Sequence, residues 1–387
     1  MPADHSIYLD NAATSFPKPE CVYLAVDRYQ RQNGRPFGRG ANDSAQEVQQ
    51  IVDRCRFRAS ELLGATEKEQ ILFTSNGTDG LNLVLHGLLK PGDHVVSSVA
   101  EHNSVLRPLR HLERTRGVSV TLVEVDECGF VESSAVAAAI RPTTRLIALQ
   151  HASNVTGAIQ PVELVGKIAR DRGLLFLVDA AQTVGHLNVD VQKMSADFLA
   201  CSGHKGLLGP LGTGLVYIAP GKELLLEPHR QGGTGSRSES DTQPDVMPDR
   251  FESGNHNVPG LVGLEAALGF LQEKTIDALR THELGLSKSL YRALQDIPGL
   301  TVYSSEDRAR HTGVISVAAE QFSSDELAAI LGQHFKIDTR AGLHCAPGIH
   351  RRLGTLDRQG TVRLSLGWAS TMDDVDAVCE ALSQVLA

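Results

Sequence analysis

Two stretches of sequence decide the fold of this chain: LLFLVDAAQTVGH at residues 174–186 and FLACSGHKGLLGPLGTGLVYI at residues 198–218. Each begins as a short apolar run and then turns polar or glycine-rich, which is typical of a buried strand that opens into a loop. Asp179 ends the first apolar run, and Lys205 follows the second within a glycine-punctuated loop. Both stretches therefore predict strands that carry reactive groups at their carboxyl ends.

The same rhythm extends back to residue 70. Apolar runs alternate with amphipathic stretches, an order that predicts a mostly parallel sheet covered by helices on both faces. Ligands of such sheets bind in crevices beyond the carboxyl ends of the strands. We predict strands at 70–75, 94–99, 118–125, 145–150 and 174–180, and helices at 78–89, 103–116 and 161–172.

The pattern changes after residue 220. Residues 232–255 are polar and rich in Gly, Ser and Pro, which predicts either a functional loop or a disordered connection. One long helix is expected over 259–296, followed by strands and helices of a smaller α+β unit. The predicted fold class is α/β, with an N-terminal segment (1–20), a large domain (21–258) and a small C-terminal domain (259–387).

Composition excludes several classes of protein. The net charge is −9 and no basic run occurs, which argues against a nucleic-acid or membrane-surface partner. The first residues lack the pattern of a secretory signal, so we expect a cytoplasmic protein. The six cysteines (21, 55, 128, 201, 345 and 379) are at least 34 residues apart, which predicts no disulfide framework and no metal site.

Four features follow one another in an order that suits a flat, phosphate-bearing cofactor. The turn SNGTDG (75–80) leads from a strand into a helix, and Gly77 and Thr78 at that helix start form a candidate anion site. Taken alone, the turn is better explained as a well-capped helix start, with Thr78 as the cap. His102, in AEHNSV (100–105), could stack on a cofactor ring, although a routine loop histidine has the same sequence signature.

The other two features are a carboxylate and a lysine. An ionised Asp179 at the end of a buried strand needs a partner, which a protonated pyridine nitrogen, a helix N-cap or a salt bridge would each supply. A desolvated Lys205 has a lowered pKa and can react with an aldehyde, whereas a solvated loop lysine would do nothing special. The ordered set favours the reactive lysine.

At these residues the chain resembles a known family. VDAAQ (178–182) followed by SGHK (202–205) is similar to the signature of class V, fold-type I pyridoxal-phosphate enzymes, the cysteine desulfurase and selenocysteine lyase group. The resemblance runs from YLDNAATS (8–15) to TVRLSLG (361–367). It implies the aspartate aminotransferase-like fold and pyridoxal 5′-phosphate as cofactor.

The resemblance also implies roles for individual residues. Lys205 would carry the cofactor, Asp179 would pair with its pyridine nitrogen, and Gln182 would bind its ring oxygen. His102 would stack on the ring and take part in catalysis. The phosphate would be held by Gly77, Thr78, Ser202 and His204. Asn154 would contact both the cofactor and the substrate carboxylate, and Ala13 would also bind the substrate.

Cys345 lies in IDTRAGLHCAPGIH (337–350), beside His344 and five residues after Arg340. Cationic neighbours favour the thiolate, which is the nucleophilic form, yet an isolated loop cysteine usually has no function. The stretch RAGLHCAP (340–347) resembles the catalytic loop of SufS-like (type II) cysteine desulfurases. That resemblance implies that Cys345 takes sulfur from the substrate as a persulfide.

Two further positions concern binding. Arg363 interrupts an apolar strand pattern, so it needs a carboxylate partner, either in the substrate or in an internal ion pair. By resemblance Arg363 binds the substrate α-carboxylate, and Arg340 serves either the carboxylate or the loop. Relatives read Gly-Thr-Pro-Asn where this chain has Gly254 to Asn257, so Asn255 replaces a threonine that reaches the phosphate across a dimer interface.

The resemblance implies a homodimer that converts L-cysteine, or L-selenocysteine, and passes sulfur to an acceptor protein or thiol. Two alternatives remain open on the sequence. The first is a C–S lyase or another class V enzyme with an incidental Cys345, which would form pyruvate and ammonia rather than alanine. The second is a scaffold that has kept the fold without catalysis.

Overall fold

The computed structural model describes residues 6–38, 42–236 and 239–387. Residues 1–5 of the predicted N-terminal segment, and residues 237 and 238 of the predicted polar loop, lie outside the described residues. The described part opens with the short strand β1 (Ile7–Tyr8).

A seven-stranded sheet forms the centre of the larger part of the molecule. Its strand order is β2-β8-β7-β6-β5-β3-β4, and the pairs β7/β6, β6/β5, β5/β3 and β3/β4 are parallel, whereas β8 is antiparallel to β2 and β7. The predicted mostly parallel sheet is therefore confirmed. The strands are β2 (Ile71–Thr74), β3 (His94–Ser98), β4 (Ser119–Val123), β5 (Thr144–Gln150), β6 (Leu175–Asp179), β7 (Phe198–Ser202) and β8 (Gly214–Ile218).

Helices cover both faces of this sheet, because strand residues alternate between two apolar clusters. In β6, Phe176 and Val178 pack into one cluster, and Leu175 and Leu177 pack into the other. Among the described residues, no helix is both long and apolar enough to cross a membrane. The first six helices are α1 (Glu20–Arg28), α2 (Asp43–Leu63), α3 (Gly77–Leu88), α4 (Asn103–Arg116), α5 (Ser133–Ala138) and α6 (Val162–Asp171).

The expected single helix over 259–296 is wrong. Two helices occupy this range, α7 (Val258–Lys274) and α8 (Ile276–Gln295). They are separated at Thr275, whose φ of 62° interrupts the helix and whose side chain caps α8 by accepting from the Ala278 N–H. Residues of α7 belong to the first apolar cluster of the large sheet, and the predicted division after residue 258 stays a prediction.

A second, antiparallel sheet lies in the C-terminal part, in the order β12-β13-β10-β9. The chain start joins this part, because β1 pairs with β11 and Leu9 packs into its apolar core. The elements are β9 (Leu300–Tyr303), β10 (Val314–Ala319), α9 (Ser324–Phe335), β11 (Ile337–Asp338), β12 (Arg340–Gly342), α10 (Pro347–Arg352), β13 (Thr361–Ser365) and α11 (Met372–Leu386).

Candidate active site

A cavity of about 580 Å³ opens where β5, β6 and β7 end and α3 begins. The last residue of each strand lines it: Gln150, Asp179 and Ser202. This is the edge at which ligands of parallel sheets bind. The sequence-predicted residues that the fold brings to this cavity are Gly77, Thr78, His102, Asn154, Asp179, Gln182, Ser202, His204 and Lys205.

The turn before α3 packs against the end of β7. The Gly77 N–H donates to the Ser202 Oγ at 3.3 Å, and a Cβ on Gly77 would lie 2.9 Å from that oxygen, so a larger residue would displace the Ser202 hydroxyl. The expected capping of α3 by Thr78 is wrong, because Asn76 is the N-cap and accepts from the Asp79 N–H at 2.9 Å. The Thr78 hydroxyl therefore stays at the cavity wall.

His102 is fixed by the first turn of α4. Its Nδ1 accepts from the Ser104 backbone N–H at 3.0 Å, so His102 itself caps the helix. The Ser104 hydroxyl lies 2.7 Å from the same nitrogen and 2.6 Å from the Thr78 hydroxyl. Burial, followed by the charge of Lys205, lowers the pKa of His102 to about 4. The imidazole is therefore neutral at pH 7, and its hydrogen is on Nε2.

Asp179 and Lys205 both line the cavity, and each affects the pKa of the other. Asp179 is buried, and its Oδ1 accepts from the Ala181 N–H at 3.0 Å. Burial raises the pKa of Asp179, whereas this hydrogen bond and Lys205 lower it. Burial lowers the pKa of Lys205 to about 8, which leaves a substantial share of neutral amine near physiological pH.

The sequence analysis did not identify Glu101, a second buried acid near the cavity. Glu101 is fully buried, accepts from the Ser98 hydroxyl at 2.6 Å and accepts from the Gln150 N–H at 2.8 Å. Burial raises the pKa of Glu101 to about 8. Glu101 therefore ties the turn that carries His102 to the end of β5. One sequence signal could have identified Glu101, namely an acidic residue beside the histidine that follows an apolar strand.

Two polar side chains connect the cavity to other parts of the fold. Gln182 donates to the Ala12 carbonyl at 3.1 Å, and Asn154 donates to the His344 carbonyl at 2.6 Å. The Asn154 Oδ1 and the His204 Nδ1 are buried, with no hydrogen-bond partner among the described residues. Buried orphan atoms of this kind are costly unless a ligand satisfies them.

Arg363 and Arg340 are cross-strand neighbours on β13 and β12. The Arg363 guanidinium is 2% exposed, pairs with Asp10 at 2.6 Å and donates to the Asn154 carbonyl at 3.2 Å. Its Nε has no partner among the described residues. The internal ion pair considered from the sequence is therefore present, and Asp10 is a further residue that sequence reasoning missed. Ala13 lies in the turn after Asp10, to whose carbonyl it donates at 3.0 Å.

Cys345 lies on the exposed loop between β12 and α10. His344 and Cys345 both have left-handed backbone conformations, with φ of 48° and 58°. The Cys345 carbonyl accepts from the Asn103 N–H at 2.7 Å, which connects this loop to the first residue of α4. Cys345 shares a surface depression with Thr78 and His102, both of which also line the main cavity.

Asn255 lies apart from the cavity lining, in a separate depression near the start of α7. The segment is held on both sides, because Asn257 caps α7 and His256 lies 3.2 Å from Glu252. Glu252 in turn forms a buried ion pair with Arg56 at 2.8 Å. The predicted contact of Asn255 with a partner subunit's phosphate stays a prediction.

Comparisons with known proteins agree with this geometry. The sequence model of the aminotransferase class V family matches residues 7–378. A probable cysteine desulfurase of Methanothermobacter thermautotrophicus is 34% identical over 385 residues, covering 99% of this chain and 95% of that protein. A probable cysteine desulfurase of Pyrococcus abyssi is 35% identical over 390 residues, covering 98% of this chain and 94% of that protein.

Solved structures show the same likeness. The apo cysteine desulfurase of Thermococcus onnurineus superimposes with a TM-score of 0.91 at 34% identity, covering 98% of this chain and 94% of that one. The cysteine desulfurase CsdA of Escherichia coli, in its S-sulfonic acid form, gives a TM-score of 0.89 at 29% identity over 99% and 96% of the two chains. The chain therefore belongs to the aminotransferase class V family, whose members are pyridoxal-phosphate enzymes.

Proposed function

We propose that this chain is a cysteine desulfurase that converts L-cysteine to L-alanine and transfers the sulfur to Cys345. One observation carries the proposal: Lys205 and the buried Asp179 share a cavity, and Cys345 lies in a depression that shares lining residues with it. The names of the full-length relatives point to the same reaction.

The cavity residues fit pyridoxal 5′-phosphate. The glycine turn at Gly77 offers backbone N–H groups at a helix start, which suit a phosphate. Asp179 is a buried carboxylate without a cationic hydrogen-bond partner among the described residues, which suits a protonated ring nitrogen. The orphan atoms of Asn154 and His204 suit the ring oxygen and the phosphate. The role of Gln182 at the ring oxygen and of Thr78 and Ser202 at the phosphate belongs to the same proposal.

The cofactor, when bound, withdraws electrons from the substrate Cα. The protein supplies the proton transfers. Lys205 would hold the cofactor and would move the proton at Cα, because its lowered pKa leaves the amine partly neutral. His102 lines the cavity as a neutral ring with a hydrogen on Nε2, so it would stack on the cofactor and could hold a proton near the reacting atoms.

Cys345 is the nucleophile that takes the sulfur. Its thiolate attacks the substrate sulfur, so that an S–S bond forms while the Cβ–S bond breaks. The electron pair of that bond stays on Cβ, which takes a proton to give alanine. The exposed loop suits this role, because the persulfide must then meet a second thiol. The match of this loop to the type II desulfurases is part of the proposal.

The substrate α-carboxylate is proposed to bind Arg363, with Arg340, Asn154 and Ala13 nearby. The unpaired Nε of the buried Arg363 supports this assignment. Because Asp10 already holds one end of the guanidinium, it fixes the orientation in which Arg363 meets the substrate.

A homodimer is also proposed. Leu211 lines the cavity and is 67% exposed. An exposed, large apolar side chain at the rim of a site is explained if a second subunit covers it. Asn255 would then contact the partner's phosphate. Light scattering during size-exclusion chromatography tests the dimer. A cytoplasmic location and turnover of L-selenocysteine belong to the same proposal and are tested by cell fractionation and by selenide release.

One experiment separates the desulfurase from a lyase. The protein loaded with pyridoxal 5′-phosphate is incubated with L-cysteine and dithiothreitol, and alanine, pyruvate and sulfide are measured together. We expect alanine and sulfide in equal amounts, without pyruvate. Equal amounts of pyruvate and sulfide would show β-elimination and overturn the proposal.

A further inference from the structure

We propose that a groove beside Cys345 docks an acidic segment of the protein thiol that accepts the sulfur. We name this groove the α4–α10 groove, and its volume is about 510 Å³. The inference rests on the proposed function, because it concerns the step that transfers the terminal sulfur from the Cys345 persulfide to the acceptor. The groove is lined by Val99, Asn103, Leu106, Arg107, Arg110, His111, Arg114, Leu122, Pro347, Gly348 and Arg351.

The groove has an apolar floor and a cationic rim. Val99, Leu106, Leu122 and Pro347 form the apolar part. The exposed arginines of the rim come from both walls, three from α4 and Arg351 from α10. A lining of this kind binds a side chain with an apolar body and with carboxylates around it.

The charge of the rim is not cancelled within the described residues. Arg110 pairs with Glu113 at 2.5 Å, but no ion pair is found there for Arg107, Arg114 or Arg351. Helix α4 carries four arginines and one glutamate, in a chain whose net charge is −9. A basic face on an acidic protein attracts an acidic partner and repels a second copy's predominantly acidic surface.

The groove leads to the reactive loop. Asn103, Arg107 and His111 line both the groove and the depression that contains Cys345. The Asn103 N–H also donates to the Cys345 carbonyl at 2.7 Å, so the groove wall and the loop are joined directly. A partner seated in the groove therefore holds its own thiol next to the sulfur on Cys345.

The transfer step needs no added oxidant. The acceptor thiolate attacks the terminal sulfur of the Cys345 persulfide, a new S–S bond forms on the acceptor, and the Cys345 Sγ leaves as a thiolate. Docking acts by raising the local concentration of the acceptor thiol at this sulfur.

The test uses two synthetic peptides as acceptors. Each has one cysteine flanked by two leucines, and the outer positions are four glutamates in one peptide and four glutamines in the other. The holoenzyme turns over L-cysteine with each peptide, and the readout is the ratio of the two second-order rate constants for alanine formation. We expect the acidic peptide to be at least about 10-fold faster at low salt. At 1 M KCl, where the Debye length is about 3 Å, the ratio should approach one.

Two matched variants locate the effect. In the first, Arg107, Arg114 and Arg351 are all replaced by Glu, with a Gln version as a milder form. In the second, the exposed arginines Arg145, Arg172 and Arg292 are replaced by Glu, which gives the same change in net charge. We expect the ratio to fall to about one in the groove variants and to change less than about twofold in the control variant.

Several outcomes overturn the inference while the desulfurase activity with dithiothreitol stands. These are equal rates with both peptides, an equal loss in the control variant, and loss of the homodimer in the groove variants, which would make the groove a subunit interface. Tight binding of a 20-nucleotide RNA that depends on the same arginines, together with equal peptide rates, would make it a nucleic-acid site. Absence of alanine with dithiothreitol would instead overturn the proposed function.

Discussion

Two regions of the molecule differ in how they are built. The first is the pair of strand ends that carries Asp179 and Lys205, which we call the cavity floor, and the second is the loop that carries Cys345. Asp179 ends a central strand of a sheet that is covered on both faces, and Lys205 follows the neighbouring strand. Cys345 follows β12, a three-residue edge strand of the smaller sheet, and it is exposed with a positive φ. The first region lies in the interior, whereas in the second an exposed cysteine stands between the buried residues His344 and Ala346.

This difference corresponds to two chemical needs. Groups that bind a cofactor work best where burial shifts their pKa and fixes their position, as it does for Lys205 and Asp179. A nucleophile that must meet first a substrate and then a second thiol needs access from solvent. The comparison predicts that damage to the floor abolishes cofactor binding, whereas damage to the loop leaves it intact.

The largest effect is expected for Lys205→Ala. Removing the amine that carries the cofactor should eliminate the absorbance of the protein-linked cofactor and lower the rate of alanine formation at least about 1,000-fold. Absorbance spectroscopy after reconstitution and an alanine assay measure both effects. Lys193→Ala, a change at an exposed lysine, is the control and should behave as the wild type. A normal spectrum in Lys205→Ala would contradict the assignment.

Cys345→Ser should impair alanine formation without affecting cofactor binding. The cofactor spectrum should stay as in the wild type, because the floor is untouched, while alanine formation falls about 100-fold or more. Cys21→Ser changes another exposed cysteine and should leave both readouts unchanged. Undiminished sulfide release from Cys345→Ser would make the cysteine incidental.

Arg363→Lys should have an intermediate effect that falls on the substrate alone. A lysine cannot reproduce two parallel hydrogen bonds to a carboxylate, so kcat/KM for L-cysteine should fall about 10- to 100-fold, mainly through KM. Arg340→Lys, at the exposed cross-strand neighbour, should change kcat/KM less than about fivefold. Equal effects at both positions would remove the distinction between them.

The smallest effect concerns pH. The neutral amine of Lys205 reacts with the cofactor, so the rate of cofactor uptake by the cofactor-free protein should rise with pH, with a midpoint near its pKa of about 8. Asp179 raises that pKa, so in Asp179→Asn the midpoint should move to lower pH. Stopped-flow absorbance at several pH values measures the midpoint, and an unchanged midpoint in Asp179→Asn would show that the two groups are not coupled.

The cavity floor could be predicted from the sequence, because each of its strands is marked by a local pattern of apolar and polar residues. The runs that end at Asp179 and Cys201 are short, apolar and bounded by glycine and polar residues, and these strands formed within one residue of expectation. The order of Thr78, His102, Asp179 and Lys205 along the chain then brought them to one sheet edge.

The remaining features depend on contacts between distant residues. Asp10 and Arg363 are 353 positions apart, and no local pattern pairs them. Asn76 and Thr78 are both good helix caps, and the choice of Asn76 accompanies a contact of Thr78 with Ser104 on another helix. The break at Thr275 has no glycine or proline to announce it, because a threonine adopts the positive φ there.

The pairing of β1 with β11 has a consequence for biosynthesis. Ile7 can pair with its partner Ile337 only after some 330 further residues have been made. At about 5–20 residues per second, the first strand waits on the order of tens of seconds. The last strand of the seven-stranded sheet ends at Ile218, well before Cys345 and Arg363 are synthesised. A nascent chain therefore contains every residue that lines the main cavity before the loop of Cys345 has been made.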